Sequence, residues 1–185
     1  ETREILKQHR PDLDVSISSE VAPEIREYER FSTTVCNAYV QPLMASYLGK
    51  IKAGLEGKDI KSPFLLITSG GGLTTLETAS KFPIRLVESG PAGGAILASK
   101  VSSQLGSNAS LSFDMGGTTA KLCLIDSSEP RISRQFEVNR SYRFKKGRCL
   151  PLKRPEIEML EIGAGGGSIA HVDKMDRLKV GPESA

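Results

Sequence analysis

The sequence contains no tryptophan, only three cysteines and almost no excess of either charge, with a formal net charge of +3. Cys36, Cys123 and Cys149 lie far apart and show neither a metal-binding spacing nor a disulfide framework, which favours a cytoplasmic compartment. Such a small net charge argues against a nucleic-acid partner. No apolar run approaches the length of a membrane span, and the N-terminus does not resemble a signal peptide. A soluble globular protein without a membrane partner is therefore the expectation.

Glycine, in contrast, is abundant, with 18 glycines among 185 residues. Several are clustered, which indicates loops where the backbone approaches another group closely. The length predicts one domain or slightly more. We expect a helical N-terminal segment over residues 1–62, leading into an α/β domain over residues 63–185. That α/β domain would carry a mixed sheet with flanking helices.

The stretch from Leu111 to Asp126 has two short apolar runs around a Gly-Gly-Thr-Thr turn, which predicts a β-hairpin. Successive backbone N–H groups in such a turn can form an anion site. Asp114 precedes the turn and would repel a phosphate, so a Mg²⁺ between the two groups would resolve the conflict. An ordinary tight hairpin, with glycine present for geometry alone, is the alternative interpretation.

The remaining pattern predicts alternating elements. Helices are expected over residues 2–8, 22–28, about 32–55, 74–81 and 89–105, and strands over 14–18, 63–68, 84–88, 132–138, 157–162, 169–172 and 178–180. In the longest helix, Pro42 should introduce a kink or a division, and the periodic side chains Val35, Tyr39, Leu43 and Tyr47 should pack in the core. The strand-helix order predicts some parallel pairing.

Three further segments have competing interpretations. The predicted strand 63–68 runs into Gly70 and Gly71, a position where α/β sheets bind ligands, although a flexible connection has the same composition. Residues 140–154 carry seven basic residues and no acid, which favours a solvated excursion or the attraction of an anionic substrate or partner. His171 and Asp173 would share one face of a strand, but they have no third metal ligand.

Four motifs occur in order along the chain: Ile67-Thr68-Ser69-Gly70-Gly71-Gly72-Leu73, Glu88-Ser89-Gly90-Pro91-Ala92-Gly93-Gly94, Phe113-Asp114-Met115-Gly116-Gly117-Thr118-Thr119 and Ile162-Gly163-Ala164-Gly165-Gly166-Gly167-Ser168-Ile169. With these motifs, the chain resembles the central part of the hydantoinase A and 5-oxoprolinase family. That family includes N-methylhydantoinase and related subunits of acetone and acetophenone carboxylases. The resemblance covers nearly the whole chain.

The resemblance implies part of an actin-like ATPase (ribonuclease H-like) fold, with ATP and Mg²⁺ as cofactors and a small cyclic amide as substrate. A substrate oxygen would be phosphorylated before ring opening, often with a hydantoinase B-type partner subunit. Asp114 would be catalytic by supporting Mg²⁺. The phosphate oxygens would contact Gly116, Gly117, Thr118 and Thr119. The other residues expected to bind the cofactor are Gly70, Gly71, Gly165, Gly166 and Gly167.

The resemblance also implies that a first phosphate loop lies upstream of Glu1 and that the adenosine-binding end lies downstream of Ala185. The present residues would then hold half a nucleotide site and would be inactive alone. A carboxylase subunit, a sugar kinase-like or chaperone-like ATPase, and a non-catalytic ATPase-like subunit remain alternatives. The presence of a second Asp-x-Gly-Gly-Thr loop in the full-length protein would separate them.

Overall fold

A computed structural model describes residues 1–138 and 150–185 of the chain. The α-helices are α1 Thr2–His9, α2 Ser18–Val21, α3 Glu27–Glu56, α4 Leu76–Lys81 and α5 Ser89–Gln104, and a 3₁₀ helix covers Pro83–Leu86. The strands are β1 Leu65–Ile67, β2 Leu73–Thr75, β3 Ala109–Met115, β4 Ala120–Asp126, β5 Glu129–Pro130, β6 Ile132–Val138, β7 Leu150–Ile157, β8 Leu160–Ile162, β9 Ser168–Val172 and β10 Leu178–Ser184. The α/β class is confirmed. Within the described ranges, no helix combines the length and the apolarity needed to cross a membrane.

The chain forms two compact units. Unit 1 comprises Glu1–Ser89 and Ser133–Glu156, and unit 2 comprises Gly90–Ile132 and Ile157–Ala185. Each unit therefore contains two separate stretches of chain. The sequence-based division at residue 62 stays a prediction.

In unit 1, α3 is the longest element and runs continuously past Pro42, so the predicted division there is wrong. Ser32 and Thr33, which the sequence predicts near its start, lie inside it, because the helix already begins at Glu27. Both side chains are buried, and each hydroxyl donates to the backbone carbonyl four residues earlier. This local bonding satisfies polar groups that would otherwise disfavour a buried helix position.

The periodic apolar face of α3 is exposed rather than buried. Val35, Tyr39, Leu43 and Tyr47 have exposed fractions between 56% and 85%, so the core packing predicted for them is wrong. The packed face is largely polar instead. Asn37 is buried there, donating from Nδ2 to the Lys81 carbonyl (3.1 Å) and accepting from the Ile84 N–H (3.3 Å) at Oδ1.

Several short elements of unit 1 differ from the sequence prediction. Residues 14–17 form no strand, and residues 22–26 are not helical. The predicted strand 84–88 is replaced by the 3₁₀ helix that begins at Pro83, a residue that fixes φ and lacks a donor for a sheet. Strand β1 pairs antiparallel with β2, and its outer residues Leu65 and Ile67 are exposed, so β1 is not buried on both faces.

The predicted mixed sheet is wrong for the strand pairs whose register the structure describes, because all of them are antiparallel and none shows the expected parallel pairing. The physical reason lies in the 3₁₀ helix and the β1–β2 hairpin. Both remove the strand-helix-strand crossover that parallel strands require. The apolar core of unit 1 contains Val21, Ile84 and Leu152.

Unit 2 is organised around the predicted hairpin, which is confirmed. The register of β3 and β4 pairs Leu111 with Leu124 and Asp114 with Lys121, and β8 pairs with the end of β4 that is nearest the loop. The small residues Ala92 and Ala95 of α5 are fully buried and belong to one core cluster with Cys123, Ile125 and Ile157. The predicted strand 157–162 is split, because β7 ends at Ile157 and β8 begins at Leu160.

Candidate functional site

The loop between β3 and β4 contains Gly116, Gly117, Thr118 and Thr119, and we call it the hairpin loop. The Gly116 N–H donates to the Thr119 carbonyl (2.9 Å) and closes the loop. Gly116, Gly117 and Thr118 are exposed. The predicted hairpin with a glycine-rich loop of four or five residues is therefore confirmed, and the loop has four residues.

A second glycine-rich segment, Gly165–Gly167, lies directly against the hairpin loop. The Gly166 N–H donates to the Gly116 carbonyl (2.9 Å), and the Gly167 N–H donates to the Gly117 carbonyl (3.0 Å). A Cβ on Gly165 would lie 2.5 Å from the backbone of Gly117 and Thr118, where no side chain fits. We call this contact the glycine clasp, because two backbones approach each other without an intervening side chain.

The glycine clasp uses the carbonyls of Gly116 and Gly117 as acceptors and does not engage the N–H groups of Gly117 and Thr118. Among residues 1–138 and 150–185, no protein acceptor takes the N–H of Gly117 or Thr118. Exposed successive amides of this kind can hold an anion. The N–H groups of Gly166 and Gly167 are already occupied by the loop carbonyls, so these two residues support the loop through their donors.

Asp114 lies in β3, two residues before the hairpin loop, and its side chain is exposed. It is the cross-strand neighbour of Lys121, whose Nζ lies 3.9 Å from Glu161 Oε1. The described residues contain no group of three or more His, Cys, Asp or Glu side chains that could hold a metal alone. One carboxylate fits Mg²⁺ only where phosphate and water oxygens complete the coordination.

The carboxylate of Asp173 has a structural task. It accepts hydrogen bonds from Arg177 Nε (2.9 Å) and from the N–H groups of Met175 and Arg177, and these bonds hold its pKa below the usual range. Lys179 Nζ also lies 3.5 Å away. This carboxylate is therefore engaged in closing the β9–β10 turn rather than in pairing with His171.

The turn of Ser69, Gly70, Gly71 and Gly72, which we call the β1–β2 turn, lies in unit 1. Gly71 has a φ of +81°, which a residue with a side chain adopts only at a cost. Ser69 is 1% exposed, and both its N–H (2.8 Å) and its Oγ (2.7 Å) donate to the Arg85 carbonyl. The turn is thus fixed from its first residue.

Arg154 is the residue of this region that the sequence prediction missed. Its buried guanidinium donates from Nη1 to Ser69 Oγ and to the carbonyls of Val87 (3.0 Å) and Ile84 (3.2 Å). Nη2 donates to Glu156 Oε2 at 2.7 Å. Burial lowers the pKa of Arg154, and the charges of Glu156 and Glu88 oppose this effect.

The prediction that residues 140–154 form a solvated excursion is therefore wrong for Arg154, while residues 139–149 lie outside the described residues. One signal in the sequence could have indicated that Arg154 is buried. Leu152, Arg154 and Glu156 alternate along β7, and all three side chains are buried. Opposite charges two residues apart on a strand share one face, so an apolar neighbour on that face is a sign of a buried pair.

The structure brings together two of the three predicted glycine segments, the hairpin loop and Gly165–Gly167. The third, containing Gly70 and Gly71, belongs to the other unit. The expectation that all three segments bind the cofactor stays a prediction.

The chain belongs to the hydantoinase/oxoprolinase family, whose model matches residues 30–185. This confirms the family resemblance of the sequence motifs.

Two relatives illustrate the similarity. The chain is 42% identical over 186 residues to an uncharacterized protein of Methanocaldococcus jannaschii, covering 99% of this chain and 27% of that protein. It is 36% identical to the caprolactamase subunit alpha of Pseudomonas jessenii, covering 95% of this chain and 24% of the subunit. The chain therefore spans about a quarter of the length of these relatives.

Solved structures agree with the sequence relatives. The nucleotide-free structure of acetone carboxylase, which carries out ATP-dependent acetone carboxylation, matches with a TM-score of 0.75 and 27% identity, over 98% of this chain and 24% of that one. The ATP-dependent caprolactamase of Pseudomonas jessenii matches with a TM-score of 0.69 and 30% identity, over 99% of this chain and 26% of that one. Both structures contain the fold of this chain within a longer polypeptide.

Proposed function

We propose that this chain is part of an ATP-dependent cyclic amidohydrolase of the hydantoinase and 5-oxoprolinase type, with an actin-like ATPase fold of which these residues form a part. The single observation that carries the proposal is the hairpin loop, which the glycine clasp contacts through the Gly116 and Gly117 carbonyls and which follows Asp114 by two residues. The family membership and the ATP dependence of the solved caprolactamase support it.

The glycine and threonine residues have different roles in cofactor binding. The N–H groups of Gly117 and Thr118 bind phosphate oxygens, and the hydroxyls of Thr118 and Thr119 add donors. Gly116 positions these amides through its carbonyl, which accepts from Gly166. Gly165, Gly166 and Gly167 contribute to cofactor binding by supporting the loop. We also propose that Gly70 and Gly71 contact the cofactor.

Asp114 is the residue that would hold Mg²⁺, together with phosphate and water oxygens. Bound Mg²⁺ would neutralise the phosphate charge that the carboxylate alone would repel. Lys121, the cross-strand neighbour of Asp114, adds a positive charge on the same face of the hairpin.

In the proposed reaction the amide oxygen of a small cyclic amide takes the γ-phosphoryl group of ATP, and ADP leaves. One water then opens the ring C–N bond, and a second water releases inorganic phosphate. Catalysis of phosphoryl transfer depends on positioning and charge neutralisation around all the phosphates. One hairpin loop supplies only some of these contacts, so the 185 residues by themselves are not expected to turn over ATP.

A carboxylase subunit is the second candidate, favoured by the TM-score of 0.75 with acetone carboxylase. Either activity is consistent with a partner subunit, because the caprolactamase relative is itself named as a subunit. For the amidohydrolase we propose a hydantoinase B-type partner and a cytoplasmic location. The two candidates differ in whether a cyclic amide or bicarbonate stimulates ATP hydrolysis.

The test is steady-state phosphate release by the intact protein carrying Asp114→Asn. The neutral amide supports Mg²⁺ poorly, so we expect hydrolysis to fall on the order of 100-fold, about 2.7 kcal/mol in activation free energy. Asp126→Asn is the matched control, since Asp126 is an exposed aspartate at the far end of the same hairpin. Unchanged turnover in Asp114→Asn, or an equal loss in both variants, would place the chemistry elsewhere.

A further inference from the structure

Three charged residues, Asp114, Lys121 and Glu161, form a row across the sheet of unit 2, and we call them the charged row. The register of β3 and β4 pairs Asp114 with Lys121, and the register of β4 and β8 pairs Lys121 with Glu161. Residues that are paired in this way share one face of the sheet, with their Cβ atoms about 5 Å apart. The charged row therefore alternates carboxylate, ammonium and carboxylate over three neighbouring strands.

The charged row lies next to the hairpin loop. Only the register pair of Met115 and Ala120 separates it from the loop. Glu161 is followed by Ile162, the last residue of β8, and the glycine clasp segment begins three residues later. All of these residues belong to unit 2.

The middle residue of the charged row is more buried than its two neighbours. The Lys121 side chain is 14% exposed, and its Nζ lies 3.9 Å from Glu161 Oε1. Asp114 is exposed, and so is the Glu161 side chain, at 57%. A partly buried charge is screened less by salt than an exposed one, so Lys121 should affect the electrostatic potential at Asp114 more strongly than a surface lysine would.

We propose that Lys121 and Glu161 are positioning residues that set the balance between phosphate and metal binding at the hairpin loop. Lys121 favours the phosphate and Glu161 favours the divalent cation, and both act through the electrostatic potential at Asp114. This inference deepens the proposed function and rests on its assignment of Asp114 to Mg²⁺. Neither side chain needs to touch the nucleotide or the metal.

The direction of each effect follows from the charges. Two carboxylates and one ammonium leave the charged row with an excess of one negative charge. Without the ammonium of Lys121 the excess doubles, which repels phosphate and attracts a divalent cation more strongly. Without the carboxylate of Glu161 the row becomes neutral, and both effects reverse. Glu161 should have the smaller influence, because it lies two strand spacings from Asp114, about 10 Å.

A purely structural role is the competing explanation. Cross-strand pairs of opposite charge stabilise a sheet. If the charged row only stabilises unit 2, both substitutions lower the free energy of unfolding, and they weaken both ligands or leave both unchanged. A shift in opposite directions for phosphate and metal cannot come from a less stable sheet.

The test uses the intact protein with Lys121→Gln, Glu161→Gln and Lys121→Arg. Calorimetry gives the dissociation constant of the β,γ-imido analogue of ATP twice, once in EDTA and once with saturating Mg²⁺. The ratio of the two constants is the contribution of the metal to nucleotide binding. No step of this measurement depends on turnover, and urea unfolding of each variant reports on its folding.

Two exposed residues of unit 2 supply the matched controls, Lys100→Gln and Glu129→Gln. Lys100 lies in α5, where the Ser102 hydroxyl contacts Ser110 near the start of β3, at the end of the hairpin away from the loop. Glu129 lies in β5 and pairs with Asp126 at that same end. Both controls remove a charge of the same sign as the residue they match, at a distance from the hairpin loop.

We expect Lys121→Gln to weaken binding of the metal-free analogue and to raise the metal contribution about three- to tenfold. Glu161→Gln should strengthen metal-free binding and lower the metal contribution about two- to threefold. Lys121→Arg and both controls should stay within about twofold of the unmodified protein. All differences should shrink at an ionic strength of about 1 M, where the Debye length is about 3 Å.

A metal contribution that is unchanged in Lys121→Gln and Glu161→Gln, or that moves in the same direction in both, would overturn the role of the charged row. The proposed function fails in a different way. If Mg²⁺ does not strengthen binding to the unmodified protein, or strengthens binding to Asp114→Asn equally, Asp114 holds no metal and the inference fails with the proposed function. If Asp114→Asn loses the metal contribution while the other variants keep it, only the role of Lys121 and Glu161 is refuted.

Discussion

The hairpin loop and the β1–β2 turn are both glycine-rich, but the protein supports them in different ways. The hairpin loop of unit 2 is held by backbone alone, through the N–H groups of Gly166 and Gly167. The β1–β2 turn of unit 1 is held by a side chain in addition to backbone bonds, since the guanidinium of Arg154 donates to Ser69 Oγ. The first support requires the absence of a side chain at Gly165, and the second requires the presence of one particular side chain.

This difference determines what each loop is sensitive to. A backbone clasp carries no titrating group, so it is independent of charge and fails only when atoms collide. A buried guanidinium depends on its counter-charge and loses several acceptors at once when it is removed. Substitutions that add atoms at the glycine clasp should therefore destabilise unit 2, and substitutions that alter charge at Arg154 or Glu156 should destabilise unit 1.

The largest expected effect is that of Arg154→Met alone. It leaves the Glu156 carboxylate buried without the guanidinium, which should lower the free energy of unfolding by about 3–5 kcal/mol. Adding Glu156→Gln should recover much of this loss, since the second charge is then removed as well. Urea unfolding of the two variants measures the difference, and a double variant no more stable than the single one would contradict it.

Gly165→Ala is the corresponding change in unit 2. The new Cβ would meet the backbone of Gly117 and Thr118 at 2.5 Å, so one of the two segments must move. Overpacking of this kind costs about 1–3 kcal/mol in the free energy of unfolding. Gly163→Ala is the matched control, because a Cβ added at Gly163 would meet no other atom within 4 Å.

Urea unfolding measures the stability of the two variants, and phosphate release by the intact protein should fall with Gly165→Ala and be maintained with Gly163→Ala. Equal free energies of unfolding for the two variants would mean that the glycine clasp is not a tight contact in solution. The comparison between backbone support and side-chain support would then lose its basis.

The hairpin could be predicted from sequence because its signals are local. The hairpin from Leu111 to Asp126 is indicated by alternating apolar residues, two glycines and a preceding aspartate, all of which lie within the hairpin itself. The clasp could be predicted only as a second glycine-rich segment. The hydrogen bonds from Gly166 and Gly167 to the loop carbonyls join residues that are about 50 positions apart in the chain, so they follow from tertiary structure.

The wrong predictions of which side chains are buried have a common physical cause. Periodicity shows that a helix has an apolar face but not which face packs against the protein, so it predicts Val35 and Tyr39 in the core, whereas Asn37 is among the residues that are buried. Composition places Arg154 in a basic run, because charge content does not indicate burial. Its three carbonyl and hydroxyl acceptors come from residues 69, 84 and 87, which no local pattern connects to it.

A smaller effect is expected from Gly71→Ala. The φ of +81° at Gly71 is a left-handed conformation, which costs a residue with a side chain roughly 1–2 kcal/mol. Gly72→Ala is the control, because its Cβ would meet only Thr68 Oγ1 at an ordinary 3.6 Å. Gly71→Ala should have the lower midpoint of thermal unfolding. If Gly72→Ala is the less stable variant, the left-handed conformation of Gly71 is contradicted.

The smallest effect concerns the partly buried carboxylate of Glu20 in unit 1. Glu20 accepts from Arg3 (2.9 Å) and Lys81 (2.7 Å), and these hydrogen bonds lower the pKa of Glu20 to about 2. Because its folded-state pKa lies below the ordinary value of 4.5, the carboxylate stabilises the fold above pH 4.5, and this contribution is lost as the pH falls towards 2. The stability difference between the unmodified protein and Glu20→Gln should therefore be present at pH 6 and vanish near pH 2.

Urea midpoints across this pH range measure that difference, with Glu56→Gln, at an exposed position in the last turn of α3, as the control. The cost of Gly165→Ala should stay constant over the same range, because the glycine clasp contains no group that titrates. A pH-independent effect of Glu20→Gln would show that Glu20 contributes through packing rather than through charge. A pH-dependent effect of Gly165→Ala would show that the hairpin loop is coupled to charged neighbours, and the contrast between the two units would have to be abandoned.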